Sequence, residues 1–130
     1  MKVSAYFIFF LLLFLIIPNI GCRRNGERIS PADYKVSKFY FKQADKSIDK
    51  GELNLAIRQL KKGLRLNPYA KREYLKLAVL YKISGNKMLA VETFKEIIRR
   101  FPDSKEAKLA RKQINKLIIS VKQKIIFSKD

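Results

Sequence analysis

Histidine and tryptophan are absent from this 130-residue chain, and cysteine occurs once, at position 22. Without His, the commonest metal ligand and the usual base of Ser/His and Cys/His pairs are missing. A single Cys builds neither an internal disulfide nor a cysteine-type zinc site. The chain has no Gly-rich phosphate loop, no Walker motif and no nucleophile elbow. Acidic residues are scarce, 11 against 29 Lys+Arg, for a formal charge of +18. Asp45 and Asp49 lie four apart, the spacing of paired carboxylates on one helix face. Lys42, Lys46 and Lys50 surround them, which reads as a solvated face rather than an acid/base pair. These shortages point away from catalysis. Neither an enzyme, a cofactor nor a metal is expected, and the length suits one domain.

The apolar content begins at the N-terminus. Residues 3–17, VSAYFIFFLLLFLII, are apolar apart from Ser4 and are broken by Pro18 and Asn19. A lone Lys2, an apolar run of about 15 residues and a small residue before a candidate cut describe a secretory signal. The run is short of the ~20 residues that a membrane-spanning helix needs. Residues 1–21 are therefore set apart from the fold. The following NIGC, with Gly21 directly before Cys22, resembles a bacterial lipoprotein signal. That resemblance implies cleavage before Cys22 and acylation of Cys22, palmitate among the chains, with the bilayer as a partner and the cell envelope as the location. Two or more chains hold stably where one binds only marginally. Asn19 stands where that family usually carries Leu. Arg23 and Arg24 outweigh Lys2 across the apolar run, which by the positive-inside tendency favours an uncleaved anchor and a cytoplasmic domain. Both topologies stay open at this point.

The remainder repeats. Residues 37–70, SKFYFKQADKSIDKGELNLAIRQLKKGLRLNPYA, align without a gap on 71–104, KREYLKLAVLYKISGNKMLAVETFKEIIRRFPDS. The period of 34 matches Tyr40 with Tyr74, Ala44 with Ala78, Gly51 with Gly85, Leu55 with Leu89, Ala56 with Ala90 and Pro68 with Pro102. Each half holds two segments with apolar residues three and four apart. The glycines sit where a helix must end and reverse. The alanines are small where helices must approach, and Asn67-Pro68 and Phe101-Pro102 separate one hairpin from the next. Ser30, Pro31 and Asp33 mark a helix start, and DSKE at 103–106 has the spacing of a capping box. Five helices are predicted, at 31–50, 53–66, 69–84, 87–101 and 104–127.

Period and residue types resemble the tetratricopeptide repeat. Tyr74, Leu77, Ala78, Tyr81, Gly85, Ala90, Phe94 and Pro102 fit its pattern in the second repeat. Tyr40, Ala44, Gly51, Ala56, Leu60, Gly63 and Pro68 fit in the first, where Gln43 and Ser47 replace the expected Leu and Tyr. The resemblance implies an all-α fold, two helical hairpins in a short solenoid over residues 31–127, with the aromatics Tyr40, Tyr74, Tyr81 and Phe94 in the core. A helix at 104–127, apolar at Ala107, Ala110, Ile114, Leu117, Ile118 and Val121, would cap the stack, since stacked repeats otherwise leave apolar ends. Residues 22–30, CRRNGERIS, form a polar tether of at most about 30 Å at ~3.3 Å per residue.

The same resemblance implies protein–protein binding in a groove lined by the first helix of each repeat. The groove positions carried over are Lys38, Phe41, Asp45, Ile48 and Asp49 from the first repeat and Arg72, Leu75, Val79, Lys82 and Ile83 from the second. Apolar patches rimmed by charge suit a peptide segment of an envelope protein. The fifth helix folding back onto these residues is the competing expectation. RRFPDSKEAKLARKQINKL (99–117) resembles repeats of envelope-assembly proteins. Loss of residues 1–21 removes only Lys2 among the ionisable groups, leaving 28 basic and 11 acidic residues, a formal charge of +17. The lysines and arginines are spread over all five predicted helices. Anionic lipid is a partner this charge suits, as is an acidic protein. Nucleic acid is not expected for an exported domain and belongs with the cytoplasmic alternative. Ile125, Ile126 and Phe127 are candidates for self-association.

Overall fold

The computed structural model describes residues 28–127, and the side chains of that span as far as residue 120 together with Gln123. Cys22, the signal and most of the tether lie outside the described residues, as do the side chains of Ile125, Ile126 and Phe127. The described chain is all helix: α1 (Pro31–Asp49), α2 (Leu53–Leu66), α3 (Lys71–Ile83), α4 (Lys87–Arg100) and α5 (Lys105–Phe127). Each bound falls within two residues of the one expected from the repeat. No helix among the described residues is long and apolar enough to cross a membrane.

The helix ends follow from local chemistry. Ser30 caps α1, its Oγ accepting the Asp33 N–H at 3.0 Å, with Pro31 in the first turn. At the other end Gly51 takes φ +75°. Its N–H donates to Ile48 O at 2.9 Å, and the Glu52 N–H donates to Ser47 O at 2.8 Å. That is the Schellman arrangement, which needs a residue free to adopt the left-handed region. Gly85, at φ +82°, ends α3 in the same region. Between the hairpins, the buried Asn67 terminates α2, and its Oδ1 accepts the Tyr69 N–H at 3.2 Å. The capping box expected at 103–106 is corrected by one residue. Ser104, not Asp103, caps α5, accepting the Ala107 N–H at 3.1 Å. Residue 107, which a box would need as Glu or Gln, is Ala, so no reciprocal bond forms.

Packing is sequential: α1 on α2, α2 on α3, α3 on α4, and α5 on α4 and α3. This is a short helical solenoid of two hairpins and a closing helix. Ala44, Ala56, Ala78 and Ala90 are fully buried, which lets the paired backbones approach. Phe94, Leu60 and Ile97 are the large side chains with no exposure. Tyr81 is buried with them, while Tyr74 lies half-buried at the edge of the core and Tyr40 outside it.

The repeat shows what each helix covers. Leu77 and Leu80 of α3 are buried, yet their equivalents one repeat earlier are the half-buried Gln43 and the exposed Lys46. What α3 buries beyond α1 is what the preceding hairpin covers, and α1 has no preceding hairpin. At the far end, Ala44 and Ala78, which face the second helix of their own hairpins, become the exposed Lys112 in α5. Ser47 and Tyr81 likewise become the exposed Asn115. α5 buries Ala107, Ala110 and Leu117 against the stack and leaves Lys105, Lys108, Lys112 and Lys116 exposed, as a terminal cap must.

Candidate functional site

The first helices of the two hairpins, α1 and α3, lie side by side and α5 follows α3. Two polar links with the same sequence offset join them. Lys76 Nζ donates to Asp45 Oδ1 at 2.5 Å, from α3 to α1, 31 residues apart. Lys82 Nζ donates to Gln113 Oε1 at 2.9 Å, from α3 to α5, again 31 residues apart. Successive first helices therefore meet at residues i and i+31, one helical turn short of the repeat.

A surface depression of about 440 Å³ opens between α1 and the start of α3. Tyr34, Lys38, Phe41, Lys42 and Asp45 line one side, and Asn67, Ala70 and Glu73 the other. Lys76 lies between its carboxylates, 2.5 Å from Asp45 Oδ1 and 3.8 Å from Glu73 Oε1. Lys38 sits over the Tyr34 ring, 5.6 Å from its centroid. Among the described residues neither Lys38 nor Lys42 has an ion-pair partner, so this end of the groove carries free positive charge. A wider depression lies by the hairpin turns, lined by Gly51, Glu52, Asn54, Arg58 and Ser84. It has only Leu53 and Leu55 as apolar lining.

The ten groove residues read from the repeat fall into three groups. Lys38, Phe41 and Asp45 line the depression. Phe41, however, is buried, with its ring against Gly63 of α2, so it forms the floor and cannot reach out to a partner. Ile48, Leu75 and Val79 are half-buried against the core and serve packing first. Asp49 and Arg72 are exposed at helix ends, Ile83 is 62% exposed, and Lys82 is engaged by Gln113. The fifth helix thus takes up the α3 side of the groove through Lys82 and leaves the α1 side open.

Tyr34, Lys42, Asn67, Ala70, Glu73 and Lys76 were not read as groove residues. Lys42 and Lys76 are repeat equivalents, but that position is not among the groove positions carried over. Asn67 and Ala70 come from the connection between hairpins, which the pattern of first helices does not cover. A second polar cluster lies apart from the groove. Arg100 donates to the Tyr74 hydroxyl at 2.6 Å and covers the Tyr74 and Phe101 rings, locking the end of α4 onto α3.

No group of three or more His, Cys, Asp or Glu side chains among the described residues is placed to hold a metal. No family model, curated protein or solved structure matches this chain.

Proposed function

We propose that this is a membrane-anchored tetratricopeptide-type lipoprotein, a docking module of a bacterial cell envelope that holds a peptide segment of another envelope protein. The observation that carries the reading is the open depression between α1 and α3. It has an apolar floor in Phe41 and Ala70, cations at Lys38 and Lys42 with no ion-pair partner among the described residues, and hydrogen-bonding groups at Tyr34 and Asn67. A site of this kind binds an extended segment through pockets and rim charges and asks no chemistry of it. The free lysines favour a segment with acidic side chains. Cys22, behind the 3–17 apolar run, is the anchor, and the tether keeps the module near its membrane.

Two measurements test this reading. Intact mass of the protein purified from membranes, beside a Cys22→Ala version, should show loss of residues 1–21 and added acyl chains that vanish in the variant. A full-length unmodified mass would sink the lipoprotein anchor. Photo-crosslinking residues placed at Lys38 and Lys42 in living cells should give a discrete adduct that the same residue at Met88 does not. Equal adducts from all three positions would remove the groove as the docking surface.

A further inference from the structure

Among the described residues nothing packs on the outward face of α1, which is an end of the stack. It presents Lys35 and Lys46, both exposed, beside the groove lysines Lys38 and Lys42. Among them stands Phe39, 58% exposed, with Val36 and Tyr34 exposed on either flank. No acidic residue occurs between Tyr34 and Ala44. Asp33 is drawn to the cap at Ser30, and Asp45 is held by Lys76 on the groove side. Phe39 stands exposed among lysines that have no ion-pair partner among the described residues, and three occupants compete for this face.

A further hairpin does not fit. The positions that bury Leu77 and Leu80 in α3 are Gln43 and Lys46 in α1. A second copy does not fit either, because a two-fold pairing of this face would set lysines against lysines. A surface of phosphate headgroups fits both components. Ammonium groups seek anionic headgroups while their methylene stems and an aromatic ring settle at the boundary with the acyl region. The chain also delivers this face to such a surface. The apolar run ends at Ile17 and α1 begins at Pro31, so a stretched connection of ~3.3 Å per residue reaches at most about 45 Å.

We propose that the Lys35–Lys46 face of α1 lies on an anionic lipid bilayer, a second membrane contact that orients the module with its stack standing off the membrane. It rests on the reading that the N-terminal segment attaches the chain to a membrane, and holds for a lipidated or an uncleaved anchor alike.

The absence of Trp from the chain allows a direct test. Full-length protein carrying Phe39→Trp as its one tryptophan is reconstituted into vesicles containing phosphatidylglycerol and brominated lipid. Met88→Trp, at a 79% exposed site on α4, is the control. The expected result is blue-shifted emission and strong bromine quenching for Phe39→Trp, and neither for Met88→Trp. Replacing Lys35 and Lys46 together by Gln, which keeps the helix and leaves the groove lysines in place, should reduce the quenching to the control level. So should purely zwitterionic vesicles, or salt raised from about 0.1 M to about 1 M, where the screening length falls from ~10 to ~3 Å. Protein that floats with the vesicles while Phe39→Trp is quenched no more than Met88→Trp would overturn the second contact and leave the anchor standing. Protein that does not float at all would overturn both. Quenching that survives the double Gln substitution and zwitterionic vesicles would overturn the headgroup assignment.

Discussion

Lys76 of α3 bonds Asp45 of α1 at 2.5 Å, across the groove and 31 residues away in sequence. With side chains 26% and 52% exposed, the pair is solvated and its net worth is small. A double-mutant cycle of Asp45→Ala and Lys76→Ala, followed by urea unfolding, should give a coupling of about 0.2–1 kcal/mol that shrinks in high salt. A coupling well above that range would mean the pair is shielded from water, and that the groove is tighter than this geometry describes.

Two kinds of glycine are present among the described residues, and they should fail for different reasons. At Gly85, with φ +82°, an added Cβ meets nothing, so Gly85→Ala costs only left-handed backbone strain, about 1–2 kcal/mol. Gly85→Asn should cost less, since Asn tolerates that region. Gly63 is helical, and its Cβ would collide with the Phe41 ring. Gly63→Ala should therefore destabilise by about 1–3 kcal/mol through overpacking, set against ~1 kcal/mol gained in helix propensity. Adding Phe41→Leu to Gly63→Ala should recover part of the loss, and adding it to Gly85→Ala should recover none. Urea midpoints of the five variants decide this.

Ser104→Ala should cost about 1 kcal/mol by removing the cap of α5, while Asp103→Ala should stay within ~0.5 kcal/mol. Thermal unfolding of the two variants gives the comparison. The reverse order would restore Asp103 as the cap.

That one-residue shift marks the limit of what the pattern carried. The helix ends were legible because Gly51, Gly85, Asn67 and Ser30 each have one backbone job, and the residue type announces it. The core alanines were legible because the repeat places them twice. The groove was not legible in the same way. Phe41 and Lys38 occupy neighbouring groove positions in the repeat, yet one is buried beneath the surface and the other stands on it. The i, i+31 meeting of first helices depends on how the hairpins are staggered, which no single helix encodes. Lys76 and Gln113 were therefore missed, although each completes a polar link to a groove residue that was read.

Tyr81 is buried, and loss of water around it raises its hydroxyl pKa above the ordinary 10.0. The folded chain thus holds this proton more tightly than the unfolded chain. The stability tied to the neutral phenol is fully present below pH ~10 and is lost as the pH rises through the higher folded value. Tyr81→Phe should flatten this part of the alkaline unfolding profile while leaving the neutral-pH profile parallel to the parent. An unchanged alkaline slope would show that Tyr81 ionises in the folded state as it does in water.

The ends of the stack supply the last test. Leu77 and Leu80 are buried in α3, which has a hairpin before it, and α1 carries Gln43 and Lys46 at the equivalent positions. Gln43→Leu with Lys46→Leu should turn the free end into a surface able to receive another helical face. Beside the exposed Phe39 it would form a continuous apolar strip. Concentration-dependent self-association in sedimentation is the expected outcome for the double variant, against none of comparable strength for Gln43→Ala with Lys46→Ala. If the leucine variant sediments as the parent does, polar residues at Gln43 and Lys46 are not what closes this end. Its closure would then lie in the remaining lysines, Lys35 and Lys42, whose like charges repel any approaching copy.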